Sequence, residues 1–385
     1  MISFLDVFYF IIVVSYTPFG LMQMYLVLSN GFIRNRHGRR YKKLGKKNNV
    51  LVVIVTNGKA TDVVQSIISI INGYELDIKQ YVIKEENDTF KYNCDEIVVP
   101  TAYTTKNRSR NKMRALQYGI EWLHEKGYEK ETYICHLDDD SVVTKRYLEY
   151  LINHMSGEGG QGSIRLREFG HHTFSSFSDI VRISNCEAWC VHYNSINKPK
   201  FVHGEGLAVR ADIEYEIGWD FGTYGAEDLM MGLSISKNYT FTYIPEGYIN
   251  IAPPTSAKDY YRQRRRWFWS IFKNEGRIAE LSLGTYLFYV YLYVVGVTGL
   301  IGFLILPYSI IFHPSLVTVL TPFWIINIIC FFAYYQFGGM HLGSKKHSLK
   351  LLILQYPIAF YDGLTIIYAL LIHPNFNTFE TIKKV

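Results

Sequence analysis

Hydrophobic positions are spread very unevenly along this chain. From Leu281 to Ser344 there is no Asp, Glu, Lys or Arg, which leaves room for two bilayer crossings at about 20 residues each. The break at His313-Pro314-Ser315 predicts the turn between them. A third apolar stretch, Leu351 to Ile372, follows a basic loop with Lys345, Lys346 and Lys350, and a fourth runs from Phe4 to Leu28. The fourth reads as a retained anchor. Its apolar core exceeds the roughly 7–15 residues of a secretory h-region, and neither a basic n-region nor a small-residue cleavage site accompanies it. The pattern predicts about four transmembrane helices.

Between these stretches the period changes. Val50-Leu-Val-Val-Ile-Val-Thr56 is a continuous β-branched run, suited to a strand buried on both faces of a parallel sheet, and Asn57-Gly58 ends it. Thr61 or Asp62 is expected to cap a helix reaching about Ile71. A strand from Ile78 to Ile83 then leads into the acidic loop Glu85-Glu86-Asn87-Asp88. A helix from about Lys106 to Lys126 precedes a strand from Thr132 to Leu137. Such alternation predicts an α/β domain with a Rossmann-like, doubly wound sheet and a ligand at the carboxyl ends of its strands. The chain divides accordingly into an N-terminal membrane helix (1–30), a basic linker (31–49), the α/β domain (50–280), three membrane helices (281–375) and a tail (376–385).

Composition agrees. Hydrophobic residues make up 49% of the 385 residues and charged ones 19%, below the roughly 25% charged of a soluble domain. Four spans leave about 230–250 residues for one soluble domain, within the usual size range. The formal net charge of +6 is largely the cluster Arg34, Arg36, Arg39, Arg40, Lys42, Lys43, Lys46 and Lys47, with no acidic residue until Asp62. By the positive-inside rule this puts the α/β domain in the cytoplasm. The cluster reads as a topology and lipid-headgroup signal and not as a nucleic-acid site, because no aromatic stacking platforms are interleaved in it. Sequons at Asn87, Asn107 and Asn238 would stay unmodified on that side. Cys94, Cys135, Cys186, Cys190 and Cys330 are odd in number. Cys186 and Cys190 with His192 or His203 form a partial zinc-ligand set, but the second pair of a structural site is missing. The thiols are expected to be buried and free, as in a reducing compartment.

Three acidic or basic motifs carry chemistry. Asp138-Asp139-Asp140 follows the strand ending at Leu137. Adjacent carboxylates repel and raise one another's pKa, which favours a divalent cation, Mg²⁺ or Mn²⁺, bridging diphosphate oxygens; the alternative is that one Asp caps a helix near Thr144 and the others are solvated. Glu227-Asp228 opens an apolar helical pattern. The helix dipole favours acidic residues there without any chemistry, yet an Asp at a cleft mouth can be a general base toward a hydroxyl. Gln263-Arg264-Arg265-Arg266-Trp267 joins guanidinium forks suited to phosphate oxygens with an indole face suited to a sugar ring. A basic-aromatic collar before a membrane span is the competing reading, and it is the one expected for Arg262 and Trp269.

In this order, Val50–Thr56, Asp138-x-Asp140, Glu227-Asp228 and Gln263-x-x-Arg266-Trp267 resemble the membrane-embedded family 2 glycosyltransferases of GT-A fold, a set that cellulose and hyaluronan synthases share. The resemblance spans roughly Val50 to Trp269. A closer likeness is to the egghead-like β-1,4-mannosyltransferase group. Lys112-Met-Arg-Ala-Leu-Gln-Tyr118, His136-Leu-Asp-Asp-Asp-Ser141 and Asn197-Lys-Pro-Lys-Phe201 are similar to that group's "KARALEY", "HLDEE" and "KPxF" stretches. Asp139-Asp140 stands in place of the usual Glu-Glu, and His203-Gly-Glu-Gly206 in place of a "WKGS"-like turn.

The resemblance implies a GT-A-type nucleotide-sugar-binding domain and a role for each matching residue. Asp138 lies near the donor ribose and the metal, and Asp140 is the metal ligand. Asp228, beside Glu227, is the base. Gln263, Arg266 and Trp267 close over diphosphate and acceptor. Lys112 or Arg114 lies near the nucleotide, and one of Glu85, Glu86 and Asp88 contacts the base. Thr56 and Asp139 complete the donor side; His203, Gly204, Glu205 and Gly206 border the acceptor. The reaction implied is inverting transfer of a hexose, mannose or glucose, from a GDP- or UDP-sugar to a lipid or glycolipid hydroxyl, aided by Mn²⁺ or Mg²⁺. A processive polysaccharide synthase, a non-catalytic scaffold that binds nucleotide sugar or lipid, and a transporter are the rivals. The transporter has only Asp6 and Asp362 as intramembrane carboxylates, and these are expected at interfaces or facing other helices.

Overall fold

The computed structural model describes residues 4–38, 47–167, 173–341 and 345–376. Arg39, Arg40, Lys42, Lys43 and Lys46 of the basic linker, and 377–385 of the tail, lie outside the described residues. Eight strands, β1 (Asn49–Val55), β2 (Lys79–Glu85), β3 (Asp95–Val99), β4 (Thr132–Asp138), β5 (Val142–Val143), β6 (Gly159–Leu166), β7 (Ala208–Arg210) and β8 (Phe241–Ile251), form one mixed sheet in the order β3-β2-β1-β4-β7-β6-β8-β5. The first four are parallel; β7 runs antiparallel to both β4 and β6. The register sets Val55 beside Asp138 and Glu85 beside Val99. The carboxyl ends of β1, β2 and β4 therefore open onto one crevice, as expected of an open α/β sheet.

Both faces of the sheet are covered. Helices α1 (Phe4–Gly38), α2 (Thr61–Asn72), α3 (Asn111–Glu125) and α4 (Lys145–His154) are followed by α5 (Phe174–Ser178), α6 (Ile180–Asn185), a π-helical turn (Cys186–Cys190), α7 (Val191–Ser195), α8 (Ala211–Ile217) and α9 (Glu227–Asn238). The last four are α10 (Ala257–Phe272), α11 (Glu275–Phe312), α12 (Pro314–Gly339) and α13 (Lys345–Leu371). One core packs α3, α8 and α9 on the sheet through Leu116, Ile120, Ile213 and Met231. The other takes in Ile67 and Ile68 of α2 and Leu148 of α4, and runs on without a break to Phe19, Val295, Tyr334 and Ile358 of the long helices. The α/β domain and the helical bundle thus share one core.

Four helices, across Asp6–Arg36, Glu275–Gly302, Pro314–Gly339 and His347–Leu371, are long and apolar enough to cross a membrane. α11 begins before the uncharged run and bends where that run starts, at Ser282 (φ −159°, ψ 94°). Several expectations are corrected. α1 continues ten residues beyond Leu28, to Gly38. The long helix starts at Asn111, because Lys106–Arg110 are turn and extended backbone. Ala60 precedes α2, without a side-chain cap. Arg34 is more than a headgroup signal: its guanidinium is paired with Glu187, whose side chain is fully buried, and donates to Ser163 Oγ at 2.8 Å, which clamps α1 onto β6. Glu187 is shared with Arg165 of β6, so the two guanidiniums together compensate the buried carboxylate. Asp6 pairs with His313 at 3.0 Å, and Asp362 with Arg264 at 3.0 Å.

Candidate active site

The centre of the crevice is an ammonium ion among carboxylates. Lys112, in the first turn of α3, donates to Asp138 Oδ1 at 2.8 Å and stands 3.4 Å from Asp228 and 3.6 Å from Glu227. Three chain segments far apart in sequence meet there. Burial pulls the Lys112 pKa down, but Asp138, Asp228 and Glu227 outweigh it and hold it well above the ordinary lysine value, so it stays charged. Asp228 is raised to about 8, foremost by burial; Lys112 opposes the rise, while Glu227, Asp138 and Glu205 add to it. The loop before β7 closes over the pair at Gly204. A Cβ there would lie 2.4 Å from Lys112 Nζ and 2.8 Å from the Asp228 oxygens, so any larger residue would have to displace these two side chains.

The three aspartates occupy different surroundings. Asp138 and Asp139 are half-buried, whereas Asp140 is buried and accepts from Ser141 Oγ at 3.1 Å. No aspartate caps the following helix: β5 intervenes and Thr144 precedes α4. A set of hard carboxylate oxygens at a strand end suits Mg²⁺ or Mn²⁺.

On the donor side, Glu85 is gripped by Arg114, whose Nη1 donates to its two oxygens at 2.8 and 2.6 Å while Nε and Nη2 donate to the Tyr103 and Pro100 carbonyls. Glu86 accepts from the Thr101 amide at 2.8 Å, and Asp88 from Tyr92 Oη at 3.0 Å. Among these residues Glu85 lines the crevice; Glu86, Asp88 and Arg114 do not. Thr56 directly follows β1 and accepts from the Gly58 amide.

On the membrane side, α10 brings in Gln263, Arg266 and Trp267. Trp267 has the guanidinium of Arg182 at 5.1 Å and that of Arg264 at 4.6 Å from its ring centroid, a doubled cation–π contact that orients the indole. Arg182 in turn holds Glu205 at 3.0 Å, and Arg264 holds the fully buried Asp179 at 2.9 Å. Arg262, expected in the collar, lines the crevice instead, while Trp269 donates to the Ala369 carbonyl and so packs α10 against α13. Thr56, Glu85, Lys112, Asp138, Asp139, Asp140, His203, Gly204, Glu205, Glu227, Asp228, Gln263, Arg266 and Trp267 all line one cavity of about 1370 Å³. Gly206 does not; with φ +74° it turns the chain beneath, against Ile249. The same cavity continues between the long helices past Tyr16, Phe19, Phe331, Tyr334 and Tyr335. Arg182, Asp179 and the ion pairs of Arg264 escaped the sequence reading, since isolated charges in apolar stretches carry no spacing signal.

The sheet, the acidic strand end and the adjoining bundle belong together in a known class. The family model for glycosyl transferase family group 2 matches residues 133–340, and the chain belongs to that family. Among curated relatives, a β-1,4-mannosyltransferase of Caenorhabditis briggsae, bre-3, is 30% identical over 185 residues, covering 46% of this chain and 40% of the relative. The Drosophila melanogaster β-1,4-mannosyltransferase egh is likewise 30% identical over 185 residues, with the same coverage. The match thus spans well under half the length of these relatives. Among solved structures, a mannosyltransferase of Pyrobaculum calidifontis in complex with GDP-Man and Mn²⁺ aligns over 91% of this chain and 99% of its own, with a TM-score of 0.49 and 11% identity.

Proposed function

We propose that this protein is an inverting glycosyltransferase that moves a hexose, mannose favoured over glucose, from a nucleotide-diphosphate sugar to the hydroxyl of a membrane lipid or glycolipid, forming a β-glycosidic bond. The observation that carries the reading is the single cavity joining the Asp138–Asp140 and Glu227–Asp228 carboxylates to an apolar passage between the long helices. A polar donor and a lipid-borne acceptor can meet only in such a space. The names of the curated relatives favour mannose.

Glu85, held by Arg114, is the residue of the acidic loop proposed to meet the nucleoside. Asp138 and Asp140 would hold Mn²⁺ or Mg²⁺, which when bound supplies positive charge for the departing diphosphate. Arg266, on the membrane-side wall, is proposed to bind the same oxygens, and Gln263 to border them. Asp228 takes the acceptor proton. Its raised pKa suits that task, because a base works best near the operating pH, and Lys112 tunes it. Trp267, held by Arg182 and Arg264, offers its face to the acceptor sugar, with His203, Gly204 and Glu205 opposite.

The test is release of nucleoside diphosphate by detergent-purified protein, offered UDP- and GDP-sugars with Mn²⁺, Mg²⁺ or EDTA and mixed membrane lipids. Release from one donor, abolished by EDTA and by Asp228→Asn, is the expected result. Donor binding with no release in any lipid mixture would favour the binding-scaffold alternative.

A further inference from the structure

Beside the carboxylate centre lies a second, chemically different cluster. The ligand atoms of Cys186, Cys190 and His203 all lie within 4.8 Å of one another, and Cys186 Sγ is 3.6 Å from His203 Nε2. A tetrahedral ion bonded at about 2.3 Å to sulfur and about 2.0–2.1 Å to nitrogen spaces its ligand atoms about 3.5–3.8 Å apart. The thiol–imidazole distance already meets that requirement, and side-chain rotations that close the widest pair by about 1 Å would meet it throughout.

Two further observations point to a ligand. His203 Nδ1 lies 2.9 Å from the Glu205 carbonyl oxygen. A carbonyl only accepts, so Nδ1 carries a proton and Nε2 is the nitrogen that faces Cys186, the orientation that metal-bound imidazoles adopt. The two cysteines also bracket the π-helical turn Cys186–Cys190, a rare geometry that is frequent at functional sites. Both thiols are buried, and all three residues line the cavity wall, so three protein ligands would leave a fourth position facing the cavity.

We propose that Cys186, Cys190 and His203 bind one thiophilic divalent cation of the Zn²⁺ type. The soft sulfur donors separate this ion from the hard cation suited to Asp138 and Asp140. Binding deprotonates both thiols and releases their two protons to solvent. The ion ties the π-helical turn to the loop that carries Gly204 against Lys112 and Asp228, and so positions that loop.

The experiment uses the full chain in detergent, stripped of metal by a chelator under reductant and titrated with Co²⁺ alone. Thiolate-to-cobalt charge-transfer absorption is expected to saturate at one equivalent and to disappear when Zn²⁺ is added. Cys186→Ser and Cys190→Ser should abolish it, and His203→Gln should weaken Co²⁺ binding at least tenfold. The double variant Asp138→Asn, Asp140→Asn should keep it. In the unaltered protein Zn²⁺ should slow alkylation of Cys186 and Cys190 but not of Cys94, a readout independent of whether the variants fold. Absence of the absorption from protein with a native melting transition, unchanged affinity in His203→Gln, loss of the band in the aspartate double variant, or equal alkylation with and without Zn²⁺ would each overturn the proposal.

Discussion

Replacing Lys112 by Met removes the charge that most opposes the rise of the Asp228 pKa. At the 3.4 Å separation of Lys112 Nζ and Asp228 Oδ1, two unit charges at an effective dielectric of about 20 interact by about 5 kcal/mol. That is an upper bound, because the Asp228 side chain is 20% exposed and Lys112 also serves Asp138 and Glu227. Halving it leaves about 2–3 kcal/mol, or about two pK units at about 1.4 kcal/mol each. The direction follows from the charge: an ammonium stabilises the carboxylate, so its loss favours the protonated acid, which cannot act as base. In the unaltered protein Asp228 ionises near 8. The rising limb of kcat/KM for the acceptor should therefore move up by about two pH units in Lys112→Met, and activity at pH 7.5 should fall about 50- to 100-fold. The assay is nucleoside diphosphate release across pH 6 to 10 at saturating donor and Mn²⁺. Recovery at high pH separates this effect from a folding defect or a lost donor contact. An unmoved limb, or a loss that is the same at every pH, would refute the assignment of Lys112 as the group that tunes Asp228.

Three other outcomes are expected. Asp228→Asn should lower kcat by about 10²–10⁴-fold while donor affinity by calorimetry is retained, because the amide keeps the shape but not the basicity. Asp140→Asn should raise the Mn²⁺ concentration for half-maximal activity at least tenfold with the fold intact by circular dichroism, since one hard-oxygen ligand becomes a neutral amide. Arg264→Ala should destabilise the detergent-solubilised protein by about 3–5 kcal/mol, read as a lowered melting temperature. It strips the fully buried Asp179 of its closest cation and leaves Tyr260 to hold Asp362 of α13 to α10.

The apolar runs specify the membrane helices on their own, because about 20 uncharged residues have few stable alternatives to a bilayer helix. Val50–Thr56 likewise declares itself a buried strand, since β-branched residues without polar interruption suit only a sheet covered on both faces. The acidic and basic-aromatic motifs were legible as chemistry for the same local reason: side-chain type is written in the sequence. Their assembly was not. That Lys112 joins Asp138, Glu227 and Asp228 depends on the crossover from β4 through β7 to α9, and that Glu85 lines the crevice while Glu86 and Asp88 turn away depends on the alternation of a strand end. Arg34 looked like a topology signal until α1 proved to pack on β6, where Glu187 claims it. Cys186 and Cys190 with His192 or His203 read only as a partial zinc-ligand set because a metal site is a distance relation, and the π-helical turn and the loop before β7 bring Cys186, Cys190 and His203 within reach. Local composition decided which groups this protein carries; the tertiary fold decided which of them meet, because a charge or a thiol acquires its pKa, its partner and its role only from the neighbours that folding sets beside it.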